Sequence, residues 1–314
     1  MLTVFSSTIT PMIMMFICII IGYVLNKWKL LPDNADTVLS KLETLILVPA
    51  LNISTFMNYC TVESLISHKN YVVVSSVLIV VAICISYPLS SMFSNHRYQR
   101  NIYKYALTFG NYGFLGNAIV PIILGEEFLY PYMLFCLPIS ILCYTWGVSN
   151  LIPSGNGKNA LKNLLNPSVI SIFIGAFLGL AGIKSSIPSF ITQSLSNLSA
   201  CMGPIAMILT GFVVAKHSFK NLIGKTPVYF ATLLRLIVLP IIFIGALYLL
   251  KIDNQIIKMS LFAFSTPLGL NTVVYPTAYG EDASTGASMA LISHTISVIT
   301  IPIIYTIFET LIST

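Results

Sequence analysis

Two stretches of this sequence place polar Asn and Thr beside helix-breaking Gly and Pro within otherwise apolar segments. They are GNYGFLGNAIVP (110–121) and STPLGLNTVVYP (265–276). Gly and Pro interrupt the backbone hydrogen bonds of a helix, and free N–H groups at the start of a half-helix attract anions. The chemistry predicted here is recognition of a small anion by neutral donors. The predicted substrate-binding residues are Asn111, Gly113, Gly116, Asn117, Pro121, Pro267, Asn271, Thr272 and Pro276.

The same residues also have a plainer interpretation. Glycines permit helices to pack closely, and prolines bend a helix without creating a site. The two stretches, however, occupy corresponding positions in the two halves of the chain. Pro121 aligns without gaps on Pro276, 155 residues later, and Pro49 falls on Pro204 at the same offset. Packing alone does not require this symmetry, so we favour the binding site.

Few ionisable groups lie inside the apolar segments, and three of them are candidates for charge or proton coupling: Arg235, Glu43 and His294. Arg235 is costly to bury unless it pairs or lines a water-filled cavity, and pairing with backbone carbonyls and attraction of an anion both stay open. His294 can titrate near neutral pH, although a single His in a helix also serves as a hydrogen-bonded packing residue. Glu43 is two residues from Lys41, so the two point to different sides of a helix.

The sequence carries no pattern typical of an enzyme, a metal site or a cofactor site. H-E-x-x-H, G-x-S-x-G, the Walker-type loop and G-x-G-x-x-G are absent, and no two of the six cysteines have C-x-x-C spacing. The basic residues are scattered, which argues against nucleic acid as a partner. We therefore predict no catalytic residues, no metal and no cofactor.

The elements that must position these residues are membrane helices. The 314 residues are 56% hydrophobic and only 8% charged, whereas soluble domains carry about a quarter charged residues. Ten apolar runs are long and continuous, without the alternation of barrel strands. We predict an all-α integral membrane protein of about ten transmembrane helices. The runs are 5–25, 38–57, 71–92, 103–124, 131–151, 167–183, 191–213, 227–249, 257–279 and 286–309.

The loops predict the orientation of these helices. Ten Lys and Arg lie in loops on one side and four in loops on the other, so the first side is cytoplasmic and both termini lie outside. With five runs in each half, the second half is inverted relative to the first, which is the plan of many secondary transporters. We predict a first five-helix repeat over 1–151, a short cytoplasmic linker over 152–166 and a second, inverted repeat over 167–314.

Six segments of the chain carry a resemblance to a known family. They are LILVPALN (45–52), GNYGFLGNAIVP (110–121), NPSVISIFIGAFLGL (166–180), GPIAMILTG (203–211), LLRLIVLP (233–240) and STPLGLNTVVYPTAYGEDA (265–283). In their order and spacing they resemble the auxin efflux carrier family, whose bacterial branch includes malate and malonate permeases. The resemblance implies two inverted five-helix repeats and a scaffold of the first, second, sixth and seventh helices, commonly a dimer interface. It also implies a mobile transport part in which broken fourth and ninth helices cross and carry the substrate site.

The function predicted is that of a secondary transporter, a permease or efflux carrier, in the cytoplasmic membrane. It would move a small organic anion, a carboxylate, across the lipid bilayer by alternating access. A proton or a sodium ion is the expected coupling ion, and a homodimer is the expected assembly. Two alternatives stay open, namely a sodium-coupled symporter of the bile-acid type and a membrane receptor without transport.

Overall fold

The computed structural model describes residues 2–152, 167–278 and 281–313, and the regular secondary structure in these ranges is helical. The predicted linker over 152–166 lies, beyond its first residue, outside the described residues. Short helical segments such as Val62–Ser67 and Phe219–Ile223 connect longer helices. The longer helices are α1 (Leu2–Lys27), α2 (Ala35–Tyr59), α3 (Lys69–Phe93), α4 (Arg97–Thr108), α5 (Tyr112–Leu124), α6 (Glu126–Leu151), α7 (Pro167–Leu180), α8 (Ser189–Ala215), α9 (Thr226–Leu249), α10 (Asn254–Phe264), α11 (Asn271–Ala278) and α12 (Ser284–Ser313).

Seven of these helices are long and apolar enough to cross a membrane: α1, α2, α3, α6, α8, α9 and α12. Two shorter apolar helices, α5 and α7, lie between them in the chain. The prediction of an all-helical, multi-pass membrane protein is therefore confirmed for the described part of the chain. The count of ten spans stays a prediction, because it joins α4 to α5 and α10 to α11 across non-helical segments.

Both stretches rich in Gly and Pro interrupt a helix. Three non-helical residues separate α4 from α5, and six separate α10 from α11. Phe109 has an extended backbone, with φ −114° and ψ 120°, and this ends α4. In the second break, Pro267 has no N–H to donate and disfavours helical geometry at the preceding residue. The two breaks therefore create two helix C-termini and two helix N-termini inside the protein.

Two closely packed helix pairs form one group. α1 packs along α8, α2 packs along α7, and contacts between α2 and α8 join the pairs. Glycines permit the close approach in both pairs. A Cβ atom on Gly211 would collide with the backbone of Ile19, and one on Gly179 would lie 2.6 Å from the carbonyl oxygens of Phe56 and Cys60. Small residues at helix contacts are typical of membrane proteins.

The remaining long helices surround the two breaks. α3 packs against α4 and α6, and α9 packs against α10 and α12. Large side chains fill the space between them, and Tyr105, Phe109, Phe135, Phe264 and Leu268 are all buried. In such apolar surroundings an unpaired backbone group is costly, so the helix ends at the breaks need partners.

Four helices widen into a π-helical turn within the described residues. These turns are Glu43–Leu47 in α2, Tyr112–Gly116 in α5, Cys143–Gly147 in α6 and Leu234–Val238 in α9. π-helical turns are rare and occur often at functional sites. The turn in α2 contains the buried residue Glu43, and the turn in α9 contains the buried residue Arg235.

Candidate functional site

The two helix breaks are hydrogen-bonded to each other through their backbones. The N–H of Asn111 donates to the carbonyl oxygen of Pro267 at 2.6 Å, and Gly110 and Leu268 form an isolated antiparallel bridge. The approach is close enough to exclude a side chain at Gly110, where a Cβ atom would lie 2.5 Å from Oγ1 of Thr266. The crossing of the two breaks is thus a backbone contact that glycine makes possible.

Arg235 occupies the side of the crossing where α4 and α10 end. Its Nη1 donates to the carbonyl oxygens of Leu107 and Thr108, both at 3.2 Å, and its Nη2 donates to that of Ala263 at 3.4 Å. The residue is only 1% exposed. Helix C-termini carry a partial negative charge and unpaired carbonyls, so the guanidinium supplies both opposite charge and donors. The sequence left two roles open for Arg235, pairing with backbone carbonyls and attraction of an anion. The structure has Arg235 paired with backbone carbonyls.

The N-termini of α5 and α11 lie on another side of the crossing, around a cavity of about 40 Å³. The first N–H groups of a helix have no partner within it and give that end a partial positive charge. A cavity of this size has room for at least one water molecule. The lining residues are Tyr105, 110–114, Cys143, Tyr144 and 269–271.

Asn111 connects this cavity to His294 on α12. Its Nδ2 lies 3.0 Å from Nε2 of His294, and Nδ1 of the same ring lies 2.8 Å from the carbonyl oxygen of Ala290. Asn111 is 2% exposed and His294 is 3% exposed. Two residues that the sequence assigned separately, one to the substrate and one to coupling, are therefore hydrogen-bonded neighbours.

Asn271 is the first residue of α11. Its Nδ2 donates to the hydroxyl of Tyr105 at 2.7 Å and lies 3.9 Å from Sγ of Cys143. The Tyr105 hydroxyl is in turn 2.9 Å from that sulfur. The hydroxyl oxygen of Tyr105 accepts from Asn271, so the hydroxyl hydrogen of Tyr105 is available to donate to the thiol of Cys143. This chain of three polar side chains forms one wall of the 40 Å³ cavity.

A second cavity, of about 90 Å³, adjoins the first and shares Tyr112, Gly113, Phe114 and Tyr144 with it. It lies between the pair α2 and α7 on one side and α5 and α6 on the other, and Asn117 lines it. A Cβ atom on Gly113 would have no neighbour within 4 Å, so this glycine keeps space free at the junction of the two cavities.

The other predicted substrate-binding residues lie away from both cavities. Gly116 packs against the hydroxyl of Tyr132, and the hydroxyl of Thr272 donates to the carbonyl oxygen of Gly269 at 2.9 Å. Pro121 and Pro276 lie within α5 and α11 beyond their first turns, and Pro267 is part of the backbone contact described above. None of these five side chains lines either cavity.

Glu43 is completely buried in the π-helical turn of α2, which contacts α7 and α8. Its two carboxylate oxygens have no hydrogen-bond partner within the described residues. The next residue, Thr44, lines the 90 Å³ cavity. An unpaired carboxylate is costly to bury, so Glu43 stays a candidate for holding a proton.

A cluster of charged residues lies at one end of the helices, in the first turn of α2 and in the segments that follow α8 and precede α9 and α12. Lys216 forms an ion pair of 2.7 Å with Asp36, and Lys225 donates to the hydroxyl of Ser284 at 2.6 Å. Burial tends to raise the pKa of Asp282, but hydrogen bonds from Ser284 and the charge of Lys225 hold it below its usual value. Burial lowers the pKa of Lys225.

Several residues around the cavities carry no signal in the sequence analysis. Tyr105, Tyr112, Ser140, Cys143 and Tyr144 belong to apolar runs and look like core residues by composition. The hydroxyl groups could have served as a signal, because a buried Tyr in a membrane helix usually needs a hydrogen-bond partner. Tyr112, for example, donates to the hydroxyl of Ser140 at 3.1 Å.

The chain matches a known protein family, described as membrane transport protein, over residues 7–305. It is also 25% identical over 302 residues to an uncharacterized transporter of Methanocaldococcus jannaschii, covering 92% of this chain and 95% of that relative. Because the family match spans nearly the whole chain, the protein belongs to this family of auxin efflux carrier-type membrane transporters. It is a multi-pass membrane transporter of a small substrate.

Proposed function

We propose that the protein is a secondary transporter that moves a small organic anion, a mono- or dicarboxylate, by alternating access. The observation that carries this proposal is the 40 Å³ cavity where the N-termini of α5 and α11 meet. Helix N-termini attract negative charge through their dipoles and through N–H groups that have no partner. At the start of α11 the N–H groups of Thr272 and Val273 already donate to the carbonyl oxygens of Gly269 and Leu270, so the dipole would provide most of the attraction there. The site would bind its anion with neutral donors, as the scarcity of charge in the sequence led us to expect.

The residues around the cavity would have different roles in binding the substrate. Asn111 and Asn271 would donate to the carboxylate, and Gly113 would leave room for it. Asn117 would contact the remainder of the substrate in the adjoining 90 Å³ cavity. Arg235 would contribute positive potential from behind the crossing while it pairs the ends of α4 and α10. Thr272, Gly116 and the prolines would support the broken backbone.

The proposed movement follows the grouping of the helices. We infer ten spans in two inverted repeats, with α1, α2, α7 and α8 as a scaffold that also forms a homodimer in the cytoplasmic membrane. The helices around the two breaks would be the mobile part. The 90 Å³ cavity lies on the border of the two groups, so a relative displacement would change access to it. Both termini would lie outside.

Uptake by purified protein in liposomes tests this proposal. Radiolabelled malate and malonate should enter with saturation and show counterflow. Asn271→Ala removes a donor to a charged group, which is worth about 1.5–3 kcal/mol, so uptake at low substrate should fall by roughly tenfold or more. Asn197→Ala, on the exposed part of α8, is the matched control and should transport like the wild type.

Other outcomes of the uptake experiment would contradict the proposal or favour one of the alternatives. A folded sample that neither takes up nor exchanges any mono- or dicarboxylate refutes the proposal. A receptor without transport would bind ligand but give no counterflow. A requirement for sodium at fixed pH would favour the bile-acid type of symporter over coupling to protons.

A further inference from the structure

The hydrogen bonds of His294 determine where its proton resides. A backbone carbonyl can only accept, so Nδ1 must carry the hydrogen that points to Ala290. In the neutral ring Nε2 then has a lone pair, and Nδ2 of Asn111, 3.0 Å away, donates to it. The pair therefore describes a neutral histidine with a fixed tautomer and an Asn111 amide with a fixed orientation.

A proton on His294 is incompatible with that orientation of Asn111. The protonated ring would carry hydrogens on both nitrogens, and Nε2–H would then face another N–H donor. The conflict disappears if the amide of Asn111 turns over and presents its oxygen to the ring. Because Asn111 lines the 40 Å³ cavity, this rotation sends the NH₂ group towards the N-termini of α5 and α11.

We propose that His294 is a positioning residue that takes up one proton as the anion binds and turns Asn111 into a donor towards the cavity. The inference rests on the proposed function, since it concerns the same site. A solvent proton, brought into the cavity as hydronium, passes to Nε2 once Asn111 has turned aside and leaves a neutral water molecule behind. The bond from Nδ2 of Asn111 to Nε2 is exchanged for one from Nε2–H to the amide oxygen of Asn111. The proton offsets one negative charge of the bound anion, so a monoanion leaves the net charge of the site unchanged and a dianion adds one negative charge.

The surroundings of His294 explain why the proton and the anion would be coupled. The clefts beside the ring are lined by apolar residues of α1, α5, α8, α12 and the short helix Phe219–Ile223. Within the described part of the chain, Tyr23 is the titratable group in this lining and Thr210 and Ser297 provide hydroxyls. The guanidinium of Arg235, on α9, packs against Gly110. A Cβ atom added to Gly110 would lie 2.6 Å from Nη2 of Arg235. The charge of this guanidinium is held by the carbonyl oxygens of Leu107, Thr108 and Ala263. Apolar surroundings disfavour a charge on the ring of His294, and an anion in the cavity would offset that cost.

Calorimetric titration counts the protons that accompany binding. Malate and malonate are titrated into detergent-purified full-length protein at pH 6, 7 and 8, in two buffers of different ionisation enthalpy. The wild type should take up close to one proton per anion at the higher pH values, where Kd should rise about tenfold per pH unit. His294→Gln keeps a neutral polar side chain that cannot titrate, so it should bind without proton uptake and with a Kd independent of pH.

Two comparisons keep the test decisive. His217→Gln, which lies outside the spans, should retain the proton uptake of the wild type. Carboxylate binding by the wild type without proton uptake overturns the inference and leaves the proposed function intact, whether or not the His294 variant folds. Undiminished proton uptake by a folded His294→Gln protein overturns it as well. A folded wild type that binds no carboxylate at all overturns both the inference and the proposed function.

Discussion

Arg235 pairs helix ends that come from distant parts of the chain. Its guanidinium donates to the last carbonyls of α4 and of α10, more than a hundred residues apart in sequence. A planar fork of donors suits this task, whereas an ammonium group could not reach both ends in the same way. At the scale of single residues, this side chain therefore links the two breaks in addition to the backbone bond between Asn111 and Pro267.

Replacement of Arg235 tests that link. Arg235→Met removes the charge and the donor to the buried carbonyls of Leu107 and Thr108, at a cost on the order of 3 kcal/mol, while the carbonyl of Ala263 keeps its hydrogen bond from the hydroxyl of Thr266. We expect a fall of several degrees in the Tm of the detergent-purified protein, with Arg235→Lys in between. Lys184→Met changes an exposed residue and should leave the Tm unchanged. An unaltered Tm in Arg235→Met would show that other groups satisfy the helix ends.

The residues of the site were only partly predictable from the sequence. Asn111 and Asn271 stood out because amides are costly inside apolar helices, and both line the cavity. Thr272 stood out for the same reason, yet its hydroxyl bonds to its own turn. Cys143 gave no signal, since a thiol in an apolar run resembles a packing residue. Spacing along one helix does not show which side chain a distant helix will face.

The two helix breaks depend on small residues for different reasons. Gly110 lies where the breaks touch, and a side chain there would press on Thr266 and Arg235. Gly113 lies at the start of α5, where a side chain would meet nothing within 4 Å. At the scale of elements, one glycine permits the crossing and the other keeps the cavity free.

Alanine at these two positions should therefore have different effects. Gly110→Ala forces the breaks apart and should lower the Tm of the purified protein together with transport. Gly113→Ala places a methyl group in free space, so its Tm should match the wild type while carboxylate affinity falls several-fold. Thermal unfolding and liposome uptake, measured on both variants, distinguish the two roles. Equal Tm values for both variants would contradict the close contact at Gly110.

Helix boundaries show what a hydropathy pattern can and cannot predict. The breaks were predicted because Gly and Pro lower helix stability wherever they occur. α4, however, begins at Arg97, six residues before the predicted apolar run, because its first turns are polar and extend beyond that run. The π-helical turns at Glu43 and Arg235 also went unpredicted, since one extra residue in a turn leaves no trace in composition.

The charged cluster at one end links elements from across the whole molecule. It brings together Asp36 in the first turn of α2, Lys216 and His217 after α8, and Lys225 and Asp282 before α9 and α12. Burial lowers the pKa of His217, and the neighbouring lysines lower it further while Asp282 opposes them. The folded protein thus disfavours the charged form of His217.

This shift gives the stability of the molecule a pH dependence of known sign. Below pH 6.5, the unfolded chain takes up a proton at His217 before the folded protein does, so stability should decline as the pH falls. His217→Gln cannot titrate, and its Tm should decline less between pH 7 and pH 5 than that of the wild type. Thermal unfolding across this range measures the difference. Parallel curves for the two proteins would exclude His217 as a cause.

The backbone bond between Asn111 and Pro267 has a mechanical consequence. Together with Arg235, it ties the two breaks into one block, and separating them would expose several unpaired backbone groups to an apolar interior. If the site faces the two sides of the membrane in turn, the two breaks must therefore move together as a rigid body with the substrate bound between them. The rate of transport would then be governed by how easily this block slides past the pairs α1 with α8 and α2 with α7.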